Sequence, residues 1–350
     1  MANVGAAAPR VADSYGISLA VVGFFTTALF ITHAVFQVPA GRLCDRYGAR
    51  AVGAVGLAVT AGASLLIASW HDARVAIILR AVAGIGTALS FVAGSDYARA
   101  TSGTALAQGF YGATSMLAGG IALVLIPLLD GWRAPFLSAG ALGVVGAAVV
   151  MTAPDRRSVS ARRSGLPSLR GSGLARFSAM HAASFGLSVV VANWIVTLIE
   201  RNSGASAGVA GAIGALTLML GVITRPLGGR LEHHTALLRG SFLLGGLGVA
   251  LLGLAPSIAV SVVAAASVGL AAGIPFAPAF ARAARQRPEA PAAAVGLVNM
   301  AAAVTILVAT PLVGLSFSLP ASGRIGFLVI AALWAATAVC VPRDVRRPAM

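Results

Sequence analysis

One arginine interrupts an apolar stretch of this chain, and it is the residue most able to do chemistry there. Arg80 stands within the apolar run 75–97, where a charged side chain is costly and is by default functional. A guanidinium at that depth attracts an anion or tunes a protonatable neighbour, so we predict that Arg80 faces a central cavity and binds substrate. The alternative is an arginine whose side chain extends to the outer headgroups.

Three titratable side chains are candidates for binding and releasing protons, a role that we call proton coupling. His33 and His181 lie in apolar runs, and imidazole titrates near physiological pH. Asp96 closes the same run as Arg80. The alternative for each histidine is a buried, hydrogen-bonded imidazole. The alternative for Asp96 is an interfacial ion pair with Arg99 or with an arginine of the segment 41–50.

Uncharged polar groups inside apolar runs mark possible cavity walls. Each needs a hydrogen-bond partner or cavity water at that depth. We predict substrate contact for Tyr111, Asn193 and Trp194, the last two offering an amide beside an aromatic face. The alternative for all three is a hydrogen bond from one helix to another.

The remaining reactive residues do not point to an enzyme. Cys44 and Cys340 have no metal-ligand spacing, the five histidines are scattered, and no Ser/His/Asp constellation shares one helix face. A chain without lysine also has no ATP-binding P-loop, which requires one. We therefore expect no catalytic activity, no cofactor and no metal site.

The composition predicts an all-α polytopic membrane protein. Hydrophobic residues make up 58% of the chain and charged residues 10%, whereas a soluble domain carries about 25% charged residues. A membrane helix needs about 20 apolar residues. We find eleven such continuous runs, at 17–39, 51–70, 75–97, 104–129, 135–153, 177–199, 207–227, 238–255, 257–281, 292–317 and 323–341.

The net charge of +15 indicates membrane topology rather than nucleic-acid binding. Counting alternate connections places most arginines, including Arg225 and those of the C-terminal tail, on one side. The other side holds only Arg10, Arg74, Arg133, Arg201 and Arg324. Excess basic residues mark cytoplasmic loops, so we expect a cytoplasmic C-terminus in a plasma membrane, the cell inner membrane of a bacterium, and no nucleic-acid partner.

A charged segment between the first two runs resembles a known signature. It resembles the G-x-L-x-D-R-x-G-R cytoplasmic loop of the major facilitator superfamily, with the last basic position shifted by one residue. The residues that match are Gly41, Leu43, Asp45, Arg46 and Gly48, and Arg50 is the shifted basic residue. Arg42 adds a further positive charge within the segment. The resemblance implies that Asp45 stabilises one conformational state by pairing with charges and with a helix N-terminus.

Other segments extend the resemblance along the chain. Arg80 precedes a small-residue pattern similar to that of the family's fourth helix, and Gly131-Trp132-Arg133 resembles the entry to its sixth. Gly229, Arg230 and Glu232 stand at the second-half counterpart of the signature. The resemblance implies two pseudo-symmetric halves, which we place at 1–153 and 175–350, with a cytoplasmic linker at 154–174.

The same alignment implies twelve helices, of which the first is largely missing. Residues 1–15 are similar to the end of a first helix, so we expect the true start to lie upstream; a genuine eleven-helix protein is the alternative.

The function implied is secondary active transport of a small solute by alternating access, coupled to a proton or solute gradient. A monomer in the lipid bilayer is expected. Arg80, and the likeness of residues 224–229 to nitrate and cyanate carriers, favour a small anion or organic acid. Efflux of hydrophobic compounds and a transport-inactive sensor or scaffold are the alternatives.

Overall fold

The computed structural model describes residues 2–5, 7–17, 19–126, 129–154, 173–254, 257–317, 319–320 and 323–342. These residues form helices and short connections, with no β-strand among them. The predicted all-α class is therefore confirmed. Most of the linker predicted at 154–174 lies outside the described residues, so the division of the chain at that point stays a prediction.

Two compact units make up the chain. Unit 1 comprises the described residues of Met1–Gly103, Leu117–Ser168 and Ala284–Ala303, and unit 2 those of Thr104–Met116, Leu169–Ala283 and Val304–Met350. Each unit thus contains a segment from the other predicted half of the sequence.

Helices α1 to α7 come from the first half of the sequence. Their bounds are α1 Ala2–Gly5, α2 Ala8–Tyr15, α3 Leu19–Tyr47, α4 Ala49–Ser69, α5 Ala73–Ser102, α6 Ala105–Leu125 and α7 Ala134–Thr152. In unit 1, α5 packs against α3 and α4, and α4 also packs against α7. α5 begins where the Asp72 carboxylate accepts hydrogen bonds from the backbone N–H groups of Arg74 and Val75, which caps the helix.

Helices α8 to α15 come from the second half. Their bounds are α8 Leu174–His181, α9 Ser188–Ser203, α10 Ala207–Arg230, α11 Thr235–Gly253, α12 Ile258–Gly273, α13 Phe276–Gln286, α14 Pro291–Ser316 and α15 Arg324–Ala336. A π-helical turn, Ala182–Leu187, joins α8 to α9, and a 3₁₀ turn, Thr337–Cys340, follows α15. In unit 2, α10 packs against α9 and α12, and α11 against α12 and α15.

Within the described residues, each predicted apolar run overlaps a helix or a joined pair of helices. Eight of the described helices are long and apolar enough to cross a membrane: α4, α5, α7, α8 continued into α9, α10, α11, α12 continued into α13, and α14. α3 becomes a ninth if its two parts, Val21–Val35 and Gln37–Tyr47, count as one span bent by 49°. The multi-pass architecture is therefore confirmed, while the count of eleven spans stays a prediction.

The bend in α3 has a local cause. Pro39 lacks a backbone N–H, and its ring conflicts with the carbonyl of Val35 one turn earlier. The helix then continues to Tyr47, so the residues that the sequence assigns to a loop form its last two turns. The chain turns only at Gly48, whose φ of 87° favours glycine, and α4 starts at the next residue.

Candidate functional site

Arg80 is buried in unit 1 without an anionic partner. Its side chain is 3% exposed. Nε donates a hydrogen bond of 3.2 Å to the carbonyl oxygen of Phe25 on α3, while Nη2 is buried without a partner among the described residues. None of the ion pairs within the described part of the chain includes Arg80. A buried cation with unsatisfied donors favours a bound anion, and this side chain does not extend to an outer surface.

A chain of hydrogen bonds surrounds His33 in the same unit. The Gln37 amide donates to His33 Nε2 at 2.7 Å, His33 Nδ1 donates to Thr87 Oγ1 at 3.0 Å, and Thr87 donates to the Gly84 carbonyl. This arrangement fits a neutral imidazole with its proton on Nδ1. Gln37 Oε1 is buried without a partner. Rotating the amide by half a turn would present this oxygen to a protonated Nε2.

The other two hypotheses for proton coupling differ in their surroundings. His181 is fully buried in unit 2, with ring centroids of Phe185, Phe276 and Phe280 at 5.4, 5.3 and 4.6 Å. Asp96 in unit 1 is buried and accepts a 2.6 Å hydrogen bond from Arg99, as the alternative interpretation expects. The coupling roles of His33, His181 and Asp96 stay predictions.

The other three residues predicted to contact substrate lie in unit 2 and differ in their exposure to solvent. The indole N–H of Trp194 donates to the carbonyl of Thr310 at 2.9 Å, and its ring packs against Phe317 at 5.3 Å. Trp194 therefore holds α9 against α14. Asn193, its neighbour on α9, is exposed. Tyr111 is partly buried on α6.

A second arginine, which the sequence places on the cytoplasmic side, is deeply buried. Arg225 is 3% exposed inside α10. Its guanidinium carbon lies 4.1 Å from the ring centroid of Phe276 and 5.2 Å from that of Phe185. Nη1 donates to the Gly112 carbonyl and, at 3.0 Å, to Ser115 Oγ.

The count of alternate connections assigned Arg225 to the cytoplasmic side, so its burial was not expected. It lies at the end of run 207–227, just before Pro226, where a basic residue usually marks the edge of a span. The helix continues to Arg230, so the side chain is enclosed instead. A rule that weighs every charge inside an apolar run, including its last turn, would have found it.

The chemistry available at Arg225 is recognition of an oxyanion. Within the described residues the guanidinium forms no ion pair, and only Nη1 donates hydrogen bonds. The N–H groups of Nε and Nη2 form one planar edge that matches two oxygens of a carboxylate or sulfonate.

The signature segment contacts the start of α14 within unit 1. The Asp45 carboxylate accepts hydrogen bonds of 3.1 Å from the backbone N–H groups of Ala292 and Ala293. These are orphan donors of the first turn of α14, where the helix dipole also favours a negative charge. Asp45 is thus a cap supplied by another helix.

The other residues of the signature segment differ in their surroundings. Gly41 is buried beside the start of α14, and Cys44 is buried in the same contact. Arg42, Leu43 and Arg46 are exposed. Arg50 donates to the Ala153 carbonyl at 3.3 Å, which ties α4 to the end of α7.

The second-half counterpart shows a parallel close approach in unit 2. Gly229 lies against the start of α6, where an added Cβ would stand 2.5 Å from the Ala105 carbonyl oxygen. Arg230 is exposed. Glu232 pairs with His233 at 3.2 Å, and its backbone carbonyl accepts a hydrogen bond from Arg282.

Replacing Gly41 by Ala should disrupt the contact with α14. The new Cβ would lie 2.5 Å from the Ala292 carbonyl oxygen and closer still to the Ala293 backbone, so α3 and α14 would have to separate. We expect about a tenfold loss of solute uptake, measured in proteoliposomes, from a shift of about 1.4 kcal/mol between states. The matched control is Gly62→Ala on α4, where a Cβ meets nothing within 4 Å. Equal uptake by the two variants would contradict the prediction.

In the described part of the chain, no three His, Cys, Asp or Glu side chains come together as metal ligands.

Comparisons of sequence point to one family. Residues 1–310 match the family described as Major Facilitator Superfamily. Among curated proteins, the probable sulfoacetate transporter SauU of Cupriavidus necator is 24% identical in an alignment covering 73% of this chain and 67% of that protein.

Comparisons of structure agree in fold. The E. coli fucose:proton symporter FucP, in a variant form, gives a TM-score of 0.75 at 13% identity, covering 97% of this chain and 95% of that one. FucP in the outward conformation gives 0.77 at 14%, covering 95% and 92%. The human organic anion transporter MFSD10 gives 0.71 at 16%, covering 96% and 88%. At these identities the likeness shows the fold.

Proposed function

The chain belongs to the Major Facilitator Superfamily, whose members are multi-pass membrane transporters of small solutes rather than enzymes, and we propose that it carries a small organic anion by alternating access. Alternating access means that the binding site opens to one side of the membrane at a time. The proposed location is the plasma membrane, with the C-terminus cytoplasmic.

The observation that carries the proposal is the burial of Arg80 without a carboxylate partner. Removing a guanidinium from water is costly, and the cost is offset when a negative charge binds it. Arg225 repeats the pattern in unit 2, where its described contacts are two aromatic rings, a carbonyl and a hydroxyl. An uncharged hydrophobic substrate would supply no negative charge to offset the burial of either cation.

The similarity to a sulfoacetate transporter supports the same substrate class. Sulfoacetate carries a carboxylate and a sulfonate on one carbon, so it presents two groups that suit arginine. We take it as the first substrate to test and call it the probe anion.

Proton coupling is the proposed energy source, with His33 as the proposed proton site. Its hydrogen-bond chain accommodates the neutral ring, and rotation of the Gln37 amide would accommodate the protonated one. Binding a proton together with an anion also reduces the net charge that crosses the membrane. Asp45 is proposed to stabilise the state in which α3 contacts α14, and thereby to set the balance of the transport cycle.

Uptake by proteoliposomes tests the proposal. We expect saturable uptake of radiolabelled probe anion, stimulated by an acidic exterior, reduced by a protonophore and competed by unlabelled acetate or sulfate but not by glycerol. Competition by lipophilic cations alone would favour efflux of hydrophobic compounds. An absence of counterflow with any labelled solute would favour the sensor or scaffold.

A further inference from the structure

We infer that Ser115 and the Gly112 carbonyl hold Arg225 in its anion-binding orientation, so that the anion binds tightly only while α6 lies against α10. The inference rests on the proposed function, because it concerns how the same anion is captured and released. Ser115 is then a positioning residue that acts through Arg225.

Close backbone packing fixes the two helices in unit 2. A Cβ on Gly109 would lie 2.7 Å from Pro226 Cα, and one on Gly112 would lie 2.6 Å from Cδ1 of Phe276. Contacts this close leave no room between α6 and its neighbours α10 and α13. The two acceptors on α6 therefore reach Arg225 only when α6 is fully seated.

The contacts of Arg225 come from two parts of the sequence. Its aromatic neighbours, Phe185 and Phe276, belong to the second half, as does Arg225 itself. Its hydrogen-bond acceptors, Gly112 and Ser115, belong to α6 of the first half. If the transport cycle separates α6 from α10, the guanidinium keeps the rings and loses both acceptors.

Separation would weaken anion binding for two reasons. With Nη1 held by α6, the edge formed by Nε and Nη2 is aligned in advance, so binding costs less conformational entropy. Water entering between the helices would also raise the local dielectric constant and reduce the attraction between guanidinium and anion. Both effects lower the affinity in the separated state.

Thermodynamic linkage then couples anion binding to the position of α6. A ligand that binds one state more tightly stabilises that state. The bound anion would hold α6 on α10, and the movement of α6 would release the anion. The affinity of Arg225 for the anion thus depends on the conformational state.

Affinity measurements on two neighbouring hydroxyl variants test the positioning role. Ser115→Ala removes one acceptor from Nη1, and Thr114→Ala is the matched control, because the Thr114 hydroxyl bonds to the Tyr111 carbonyl of its own helix. With the probe anion in a thermal-shift titration, we expect about tenfold weaker binding in Ser115→Ala. The control should stay within about twofold of wild type, and Ser115→Thr, which keeps a hydroxyl, should restore most of the affinity.

The rate of cysteine alkylation distinguishes positioning from a purely structural role, because a structural role of Ser115 would not make this rate depend on the anion. Ala105 is 3% exposed at the start of α6, so Ala105→Cys in a Cys44→Ala, Cys340→Ala background reports when α6 leaves α10. The probe anion should slow alkylation several-fold, and Ser115→Ala should abolish this protection.

Three outcomes would overturn the inference. Wild-type affinity in Ser115→Ala would show that the hydroxyl does not position Arg225. Alkylation that is unchanged or faster with saturating probe anion would show that binding does not favour the α6–α10 contact. Failure of wild type to bind any of probe anion, acetate and sulfate would instead overturn the proposed function, and this inference with it.

Discussion

Replacing Arg80 by Gln is expected to lower kcat/KM for the probe anion by about 100-fold or more. Loss of a buried, charge-assisted contact costs about 3 kcal/mol, and each 1.4 kcal/mol is a factor of ten. Gln keeps a polar group but is shorter than Arg and has neither the charge nor the forked donors. Uptake into proteoliposomes at equal protein density is the measurement. Arg74→Gln is the matched control, since Arg74 is an exposed arginine on the same helix, and we expect wild-type uptake from it.

Thermal stability separates a binding role from a structural one. Because Nη2 of Arg80 is buried without a described partner, the free protein bears the cost of an uncompensated cation. Arg80→Gln should therefore unfold at the same temperature as wild type or higher when no anion is present, and should lose the stabilisation that the anion gives to wild type. A lower unfolding temperature without anion, with uptake reduced only in proportion to the folded protein, would show that Arg80 is structural.

The helices were predictable because their signal is strong and local. Twenty consecutive apolar residues have few other stable placements, and every predicted run coincides with helical structure. The end of α3 was less predictable. Arg42, Asp45 and Arg46 made residues 41–50 resemble a loop, yet the helix continues to Tyr47 because its buried side packs against the start of α14. That contact joins residues about 250 positions apart, and no local pattern encodes it.

The candidate site was predictable only where a residue stands out within its own run. Arg80 did so, since it is a charge in the middle of apolar sequence. The contacts of Trp194 and Arg225 depend on partners from distant helices. The Thr310 carbonyl accepts a hydrogen bond from the Trp194 indole N–H. Ser115 accepts one from the Arg225 guanidinium, which also packs against two phenylalanine rings. Such partners are set by packing, so the sequence alone showed neither the hydrogen bond from Trp194 to Thr310 nor the burial of Arg225.

Replacing Asp45 by Asn should shift the conformational balance by about tenfold. Asn keeps one acceptor oxygen for the N–H groups of Ala292 and Ala293 but loses the second acceptor and the negative charge at the N-terminus of α14. A lost hydrogen bond and a lost charge–dipole interaction together amount to about 1.5 kcal/mol. The state with α3 against α14 should become less populated, and uptake of the probe anion should fall by about tenfold.

The adjacent Cys44 provides a native reporter for this shift. Its thiol is 2% exposed and packs in the same contact, so it reacts with N-ethylmaleimide only when α3 and α14 separate. In a Cys340→Ala background, Asp45→Asn should speed this reaction by about tenfold. Asp13→Asn, at an exposed aspartate on α2, should leave it unchanged. Faster alkylation with normal uptake would mean that the cap stabilises the contact but does not limit transport. An unchanged alkylation rate would mean that the carboxylate does not hold the contact, because the substitution removes both the negative charge and one of the two acceptor oxygens at the start of α14.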